Sequence, residues 1–322
     1  MFKEKIILLT GGTGSWGREA TNQLLQYAPK EIRIYSRNEC NQVTMKREYN
    51  NPKLKFIIGD VRDYEQLDFA CREVDYVLHL AALKHVPVAE EFPYECIKTN
   101  IIGTENLIKA AIHNKIKRVI DVSSDKSCDA AGVYGATKFI AERMVLHANA
   151  YSSNTEFQCI RGGNVLGSAG SVVGLFISQI KRDNKITITD ERMTRYFITL
   201  QEAIKLIFTA IKSSIIAATY IMNMPSCKII DLSEVIIEHY GNKDTKIEIT
   251  GIRPGEKLHE VLISKTEALN SYVYSDEYFV IFPFDTTRID LEKVDFAEYN
   301  SSTKLMNKKE IKALLNKGGF LL

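Results

Sequence analysis

Short apolar runs alternate with longer amphipathic stretches through the first half of the chain. Runs at 5–10, 32–35, 55–59, 76–80, 118–123 and 157–160 read as strands, and stretches at 17–27, 64–71, 93–114 and 134–150 as the helices between them. Two runs, Ile-Ile-Leu-Leu from Ile6 and Tyr-Val-Leu-His-Leu from Tyr76, are apolar almost without a break. Strands of that kind are buried on both faces, which is the mark of a parallel sheet covered by helices. The pattern therefore predicts an α/β fold with a doubly wound parallel sheet of the Rossmann type.

After Arg161 the rhythm changes. Glycines and serines gather in Gly162-Gly163-Asn164 and again over 167–174, a composition that makes loops near a site rather than another βα unit. The stretch 201–213 reads as an amphipathic helix able to pack back on the sheet. Apolar segments at 221–224, 232–240 and 246–250 predict a smaller α+β substrate-binding lobe. The expected division is a cofactor domain of residues 1–166 plus about 194–220, interleaved with a lobe of 167–193 plus about 221–322.

Composition narrows the function without naming it. With 322 residues, 45% hydrophobic, 25% charged and a net charge of +2, the chain is an ordinary globular protein with no electrostatic footprint for nucleic acid. The lysines between 304 and 317 read as one solvated helix face. Six cysteines are scattered without a C-x-x-C pair, and His259-Glu260 lacks the second histidine of a zinc helix, so no metal is expected. The apolar run 6–9 is too short for a signal peptide, and no segment reaches the ~20 apolar residues of a membrane span. The expectation is a cytoplasmic protein with no membrane partner.

Gly11-Gly12-Thr13-Gly14-Ser15-Trp16-Gly17 follows the first strand and opens the first helix. Glycines so spaced permit a tight turn and close backbone approach to a pyrophosphate seated on the helix N-terminus. The second strand ends in Ser36-Arg37, where an NAD site usually carries a carboxylate for the ribose hydroxyls. A hydroxyl and a cation there suit a 2′-phosphate, so NADP is expected. Asp60, at the end of the third strand, is placed to accept from the adenine amino group.

The fifth strand runs into Ser123-Ser124-Asp125-Lys126, and a helix carrying Tyr134 and Lys138 follows. These two are spaced i,i+4 and share one helix face. A lysine cation beside a phenol favours the phenolate, a base suited to a sugar hydroxyl.

The glycine motif, Asp60-Val61, His79-Leu80-Ala81-Ala82, Ser123-Ser124 and Tyr134-x-x-x-Lys138 together resemble the extended short-chain dehydrogenase/reductases. Ser124-Asp125-Lys126, with Tyr134 retained, further resembles the inverting UDP-N-acetylglucosamine 4,6-dehydratases that begin pseudaminic acid synthesis. Arg192-Met193-Thr194-Arg195-Tyr196-Phe197 and Arg253-Pro254-Gly255-Glu256-Lys257 agree with that narrower likeness, which covers most of residues 5 to 262. Gly162 departs from it, standing where many relatives have a bulkier aromatic residue.

The resemblance implies a tightly bound, recycled NADP contacted by Gly11, Thr13, Gly14, Ser15, Trp16, Gly17, Ser36, Arg37, Asp60 and Val61. Ala81, Ala82, Lys84, Asn100, Ser123, Tyr134 and Lys138 would complete that cofactor set. Lys84, Asn164, Val173, Arg195, Arg253 and Glu256 would hold the UDP-sugar. Tyr134, with Ser124 and Lys138, would remove the C4 hydroxyl proton while hydride passes to the cofactor. A neutral Lys126 would take the C5 proton, and a protonated Asp125 would donate to the departing C6 hydroxyl. Hydride return to C6 with inversion at C5, or release of the 5,6-ene, would end the cycle. A UDP-sugar 4-epimerase shares the first step but needs no acid at C6. A non-catalytic NADP-binding sensor or scaffold on the same fold is the alternative of another class. The likeness also implies a homo-oligomer, with helices 93–114 and 139–150 offering a dimer interface.

Overall fold

The computed structural model describes residues 1–168, 170–283 and 290–321. Parts of the expected 167–174 loop and of the expected 221–322 lobe thus fall outside the described residues. The strands are β1 (Ile6–Thr10), β2 (Glu31–Ser36), β3 (Leu54–Ile58), β4 (Tyr76–His79), β5 (Arg118–Ser124) and β6 (Glu156–Gly162). Next come β7 (Asn164–Val165), β8 (Lys185–Ile188), β9 (Thr194–Ile198), β10 (Thr219–Met222) and β11 (Ser226–Lys228). The C-terminal part adds β12 (Lys246–Ile249), β13 (Val261–Ile263), β14 (Ser271–Ser275), β15 (Tyr278–Ile281) and β16 (Tyr299–Asn300).

Nine strands form the main sheet in the order β14-β15-β10-β6-β5-β4-β1-β2-β3, parallel from β3 through β10. All five residues of β1 are buried, as its unbroken apolar run requires. Ile7 and Leu9 face a core completed by Ile204, Ile207 and Ile211 of the helix Leu200–Lys212. Leu8 faces the opposite core with Leu107, Ala110 and Val145. One face is thus covered by the helix Leu200–Lys212 together with early helices that contribute Ala20, Leu24 and Met45, and the other by helices that carry Leu107, Ala110 and Val145.

All six strands expected from the pattern are present, with ends displaced by a residue or two. The helix Glu39–Tyr49 was not legible because only Gln42 and Met45 are buried, leaving no apolar stripe. Its N-terminus is fixed locally, by the Asn38 side chain accepting from Asn41 N–H at 2.8 Å. The single helix expected over 93–114 is instead Pro93–Ile97, a π-helical turn Lys98–Ile102 and Gly103–His113. The wider turn swings Asn100 inward, where it is buried.

A smaller assembly sits over the carboxyl ends of the sheet. It contains the sheet β11-β9-β7 and the pairs β12-β8 and β13-β16. Val173, Phe176, Ile186, Ile236, Ile311 and Leu315 make its own core. The helix Lys308–Lys317 buries Ile311 and Leu315 and turns its lysines outward, with Lys317 donating to Glu202 at 2.6 Å. The boundary differs from expectation at two places. β7 pairs with β9 in the lobe, and the hairpin β14-β15 returns to the main sheet, where β15 runs antiparallel to β10. The reason is edge protection: β10 is buried throughout and its outer hydrogen-bonding edge needs a partner.

Candidate active site

Loops after β1, β2, β4, β5 and β6 open at the carboxyl edge of the sheet, where the lobe closes over them. Between them lies a cavity of about 730 Å³. One end is walled by Gly11, Thr13, Gly14, Ser15, Trp16, Ser36, Arg37, Asp60, Val61, Ala81 and Ala82. Ser123, Ser124, Asp125, Lys126, Tyr134 and Lys84 line the middle, and Asn164, Val173, Arg195, Arg253 and Glu256 the lobe side. Three expected residues, Gly17, Asn100 and Lys138, stand behind this wall.

The glycine turn fits a dinucleotide diphosphate. Gly11 has φ +68°, and a Cβ there would sit 2.9 Å from the Ala81 backbone. The helix Ser15–Leu25 begins at Gly14 with no side-chain cap and no acidic residue in its first turn. Its leading N–H groups and positive dipole end are thus available to an anion at the cavity wall. Gly17 acts from behind: its Cβ would lie 2.2 Å from the Gly12 carbonyl oxygen, so glycine is what lets helix and turn close together.

At the ribose end, Thr13 donates to Ser36 Oγ at 3.2 Å and Gln42 donates to the same oxygen at 3.1 Å. Arg37 is half exposed and only loosely paired with Asp60, at 3.9 Å. Asp60 is more heavily engaged than the sequence suggested. Arg62 bonds both its oxygens, through its backbone N–H at 3.0 Å and its guanidinium at 2.7 Å. Burial pushes the Asp60 carboxyl up, but Arg62 and Arg37 outweigh it and hold it below its ordinary range. Asn100 has no contact with the cavity. Its amide accepts from Leu83 N–H at 2.8 Å and donates to Leu83 O at 3.0 Å and Thr137 Oγ1 at 3.0 Å, fixing the loop after β4.

In the middle, Ser124 donates to Asp125 Oδ1 at 2.9 Å, and Lys126 Nζ donates to the same oxygen at 3.1 Å. Lys126 also lies 3.3 Å from Glu260 Oε1, a carboxylate that the sequence brought forward only as half of an incomplete zinc motif. Glu260 in turn lies 3.5 Å from Arg195 Nε. Lys126 keeps 27% of its side chain exposed, against 1% for Asp125 and 2% for Glu260, so the lysine is the most open of three groups that all line the cavity.

Burial pushes the Asp125 carboxyl upward, and Glu260 adds to this while Lys126 opposes it. That direction favours the protonated form, as an acid requires. For Lys126, burial works against the charge, but Asp125 and Glu260 outweigh it and raise the ammonium above its ordinary value. A neutral Lys126, the condition for it to act as a base, is therefore disfavoured by its neighbours. Burial likewise raises the Tyr134 phenol, and Lys138 and Ser124 only partly pull it back. The lysine does not deliver a resting phenolate by itself. Burial of the phenol outweighs the lysine, whose own ammonium lies 3.3 Å from the Asp121 carboxylate behind it.

Arg195 is held by the carbonyls of Thr194, Leu258 and Lys257 at 2.7, 3.1 and 2.9 Å. Glu256 accepts from Arg253 N–H at 3.1 Å, closing the turn that brings Arg253 to the rim. A Cβ on Gly162 would meet the Trp16 indole at 3.6 Å, an ordinary contact, so the position is open rather than forced to be glycine. Among the described residues no cluster of side chains could hold a metal, and no helix is long and apolar enough to cross a membrane.

The sequence matches the polysaccharide biosynthesis protein family over residues 7–282. The chain belongs to this family. It is 44% identical to the UDP-N-acetylglucosamine 4,6-dehydratase (inverting) of Campylobacter jejuni over 287 residues, covering 88% of this chain and 84% of that one. It is 39% identical to a UDP-glucose 4-epimerase of Rickettsia felis, covering 98% and 96%. Among solved structures, Pen from Bacillus thuringiensis superposes with a TM-score of 0.95 at 39% identity, with full coverage of both chains. The family and its extended short-chain dehydrogenase/reductase fold agree with the motifs on which the resemblance rested.

Proposed function

We propose that this chain is a UDP-N-acetylglucosamine 4,6-dehydratase working with a bound, recycled NADP. The observation that carries the reading is the placement of Asp125 beside Ser124 and Tyr134 in one cavity, buried so that it favours its protonated form. The likeness to the Campylobacter dehydratase over most of the chain supports the same reaction.

Gly11, Gly14, Ser15 and Trp16 would hold the cofactor diphosphate, with Ser36 and Arg37 at the 2′-phosphate and Asp60 near the adenine. When bound, that cofactor supplies the hydride chemistry, taking a hydride from C4 and returning it to C6. Tyr134, once its own phenol proton has passed to water, would accept the C4 hydroxyl proton, with Ser124 beside it and Lys138 behind to favour the phenolate. The ketone at C4 then acidifies the C5 proton. Asp125 gives its proton to the C6 hydroxyl as it leaves as water. Lys126 lines the same cavity and would take the C5 proton once its own has passed to water. Arg195, Arg253, Glu256, Asn164, Lys84 and Val173 would hold the nucleotide-sugar on the lobe side.

The 39% identity to a Rickettsia epimerase supports a second reading, UDP-sugar 4-epimerase, which uses Ser124, Tyr134 and Lys138 alike. Asp125 separates the two, because epimerisation requires no acid at C6. We also propose a cytoplasmic homo-oligomer supplying pseudaminic acid-type synthesis. Tyr94, Phe92, Phe139 and Ile140 are exposed on neighbouring helices and support association there.

The test is an NMR time course with UDP-N-acetylglucosamine in D₂O, without added reductant. A new C6 methyl signal with deuterium at C5 is expected, and the C5 coupling reports inversion. A vinylic signal would mean that the cycle stops at the 5,6-ene. Conversion only to UDP-N-acetylgalactosamine would overturn the dehydratase in favour of the epimerase.

A further inference from the structure

The acid and the lysine of this site are adjacent in sequence, yet the group that balances them arrives from the lobe. Glu260 immediately precedes β13, and its backbone N–H donates to Ser301 Oγ at 2.9 Å, which fixes the strand entry. Its Oε1 lies between Lys126 Nζ at 3.3 Å and Arg195 Nε at 3.5 Å. Its Oε2 is buried without a protein partner, as is Oδ2 of Asp125. Two carboxyls thus flank one ammonium, and both are almost completely shielded from solvent.

We propose that Glu260 is a positioning residue for the dehydration step: it supplies the counter-charge of Lys126, so that Asp125 is free to carry the proton it donates. This rests on the dehydratase function above. The physical argument concerns a shared cation. If Asp125 alone faced Lys126, protonating it would leave an ammonium unpaired in a buried site, which is strongly unfavourable. The attraction of Lys126 would then keep Asp125 ionised and useless as an acid. With Glu260 on the other side, Lys126 stays paired whichever form Asp125 takes. Two carboxyls placed in unequal surroundings divide into one acid and one anion.

The other charges around the group are consistent with that division. Asp125 and Tyr134 face Lys126 from the sheet side, Arg195 faces it from β9, and Lys257 faces Glu260 from the preceding turn. Burial pushes the Glu260 carboxyl up, but Lys126, Arg195 and Lys257 outweigh this and hold it ionised.

The test is Glu260→Gln in the full chain with its cofactor, which keeps the shape and removes the charge. Two rates are followed against pH: reduction of the bound cofactor on mixing with UDP-N-acetylglucosamine, and formation of the dehydrated product. Cofactor reduction should stay within about twofold, because Tyr134, Ser124 and Lys138 are untouched. Product formation should fall at least about tenfold at neutral pH, and its alkaline limb should move down by roughly one pH unit or more. Glu260→Asp, which retains the charge, should recover part of both. Equal loss of the two rates, or an unmoved limb in both variants, would overturn the proposal. If the unmodified protein itself makes no dehydrated product, the functional reading fails, and the lysine is followed directly. NMR of ¹³C-lysine-labelled protein, with Lys126 identified by Lys126→Arg, should then show it titrating lower in Glu260→Gln. No shift there would overturn the pairing on its own.

Discussion

Lys138 and Asp121 form a closed ion pair at the back of the site, with Nζ 3.3 and 3.4 Å from the two carboxylate oxygens and both side chains almost wholly buried. Lys138 therefore acts on Tyr134 with a charge already shared. Replacing Asp121 by Asn leaves a buried ammonium without its partner. The expected cost is about 3 kcal/mol of stability, read by urea denaturation. Without its partner Lys138 loses its proton more readily, so the phenol rises further and the acid limb of cofactor reduction moves to higher pH. An unchanged denaturation midpoint would show that the pair is not what holds the lysine.

Asp125→Asn keeps the shape of the acid and removes its proton. Dehydration should fall by about 100-fold or more. Oxidation at C4 should persist, so reduced cofactor builds up on mixing with substrate and is seen by its absorbance. Loss of both signals together would move Asp125 from the elimination to the first step.

Arg37 is half exposed at the expected 2′-phosphate and only 3.9 Å from Asp60. Arg37→Ala should weaken NADP binding by about tenfold or more while changing NAD binding little, since a charged hydrogen bond is worth about 1.5–3 kcal/mol. Calorimetric titration with each cofactor decides this. Equal weakening of both would remove the basis for an NADP preference.

Glu267 bonds Arg161 at 2.9 and 3.0 Å, and Arg161 bonds Glu142 on the helix that carries Tyr134. Burial pushes the Glu267 carboxyl up, but Arg161 more than reverses this and holds it at about 2, against an ordinary 4.5. A depressed carboxyl stabilises the fold above its unfolded value, and the contribution is lost as pH falls through the folded one. Stability should thus decline by about 3 kcal/mol between pH 4.5 and 2 from this group. Glu267→Gln should be less stable at neutral pH and show a shallower acid slope in the same denaturation series. A slope equal to that of the parent would assign the acid sensitivity elsewhere.

What was legible in the sequence was local or periodic. The strands of the parallel sheet declare themselves by unbroken apolar runs, the glycine turn by its spacing, and the Tyr134–Lys138 pair by helical periodicity. Asp121 was detectable in principle: a carboxylate inside the apolar run of β5 requires a buried cation. Glu260 carried no such sign, because its partners Lys126 and Arg195 come from distant segments of chain. Asn100 entered the cofactor set through the family resemblance alone. The π-helical turn that ties its amide to Leu83 and Thr137 left no periodic sign in the sequence. The charge states of Lys126 and Tyr134 also lay beyond the sequence, since each is set by a balance of burial against neighbours.

The return of β14 and β15 to the edge of the main sheet has a consequence for how such enzymes can be re-engineered. The lobe is not an appendage that can be cut at one point and exchanged. Ending the chain after β10 would strip that strand of its neighbour and leave an open, adhesive edge. A graft that aims to change the sugar must replace the inserted segments while keeping the closing hairpin, as one darns a fabric without cutting its hem.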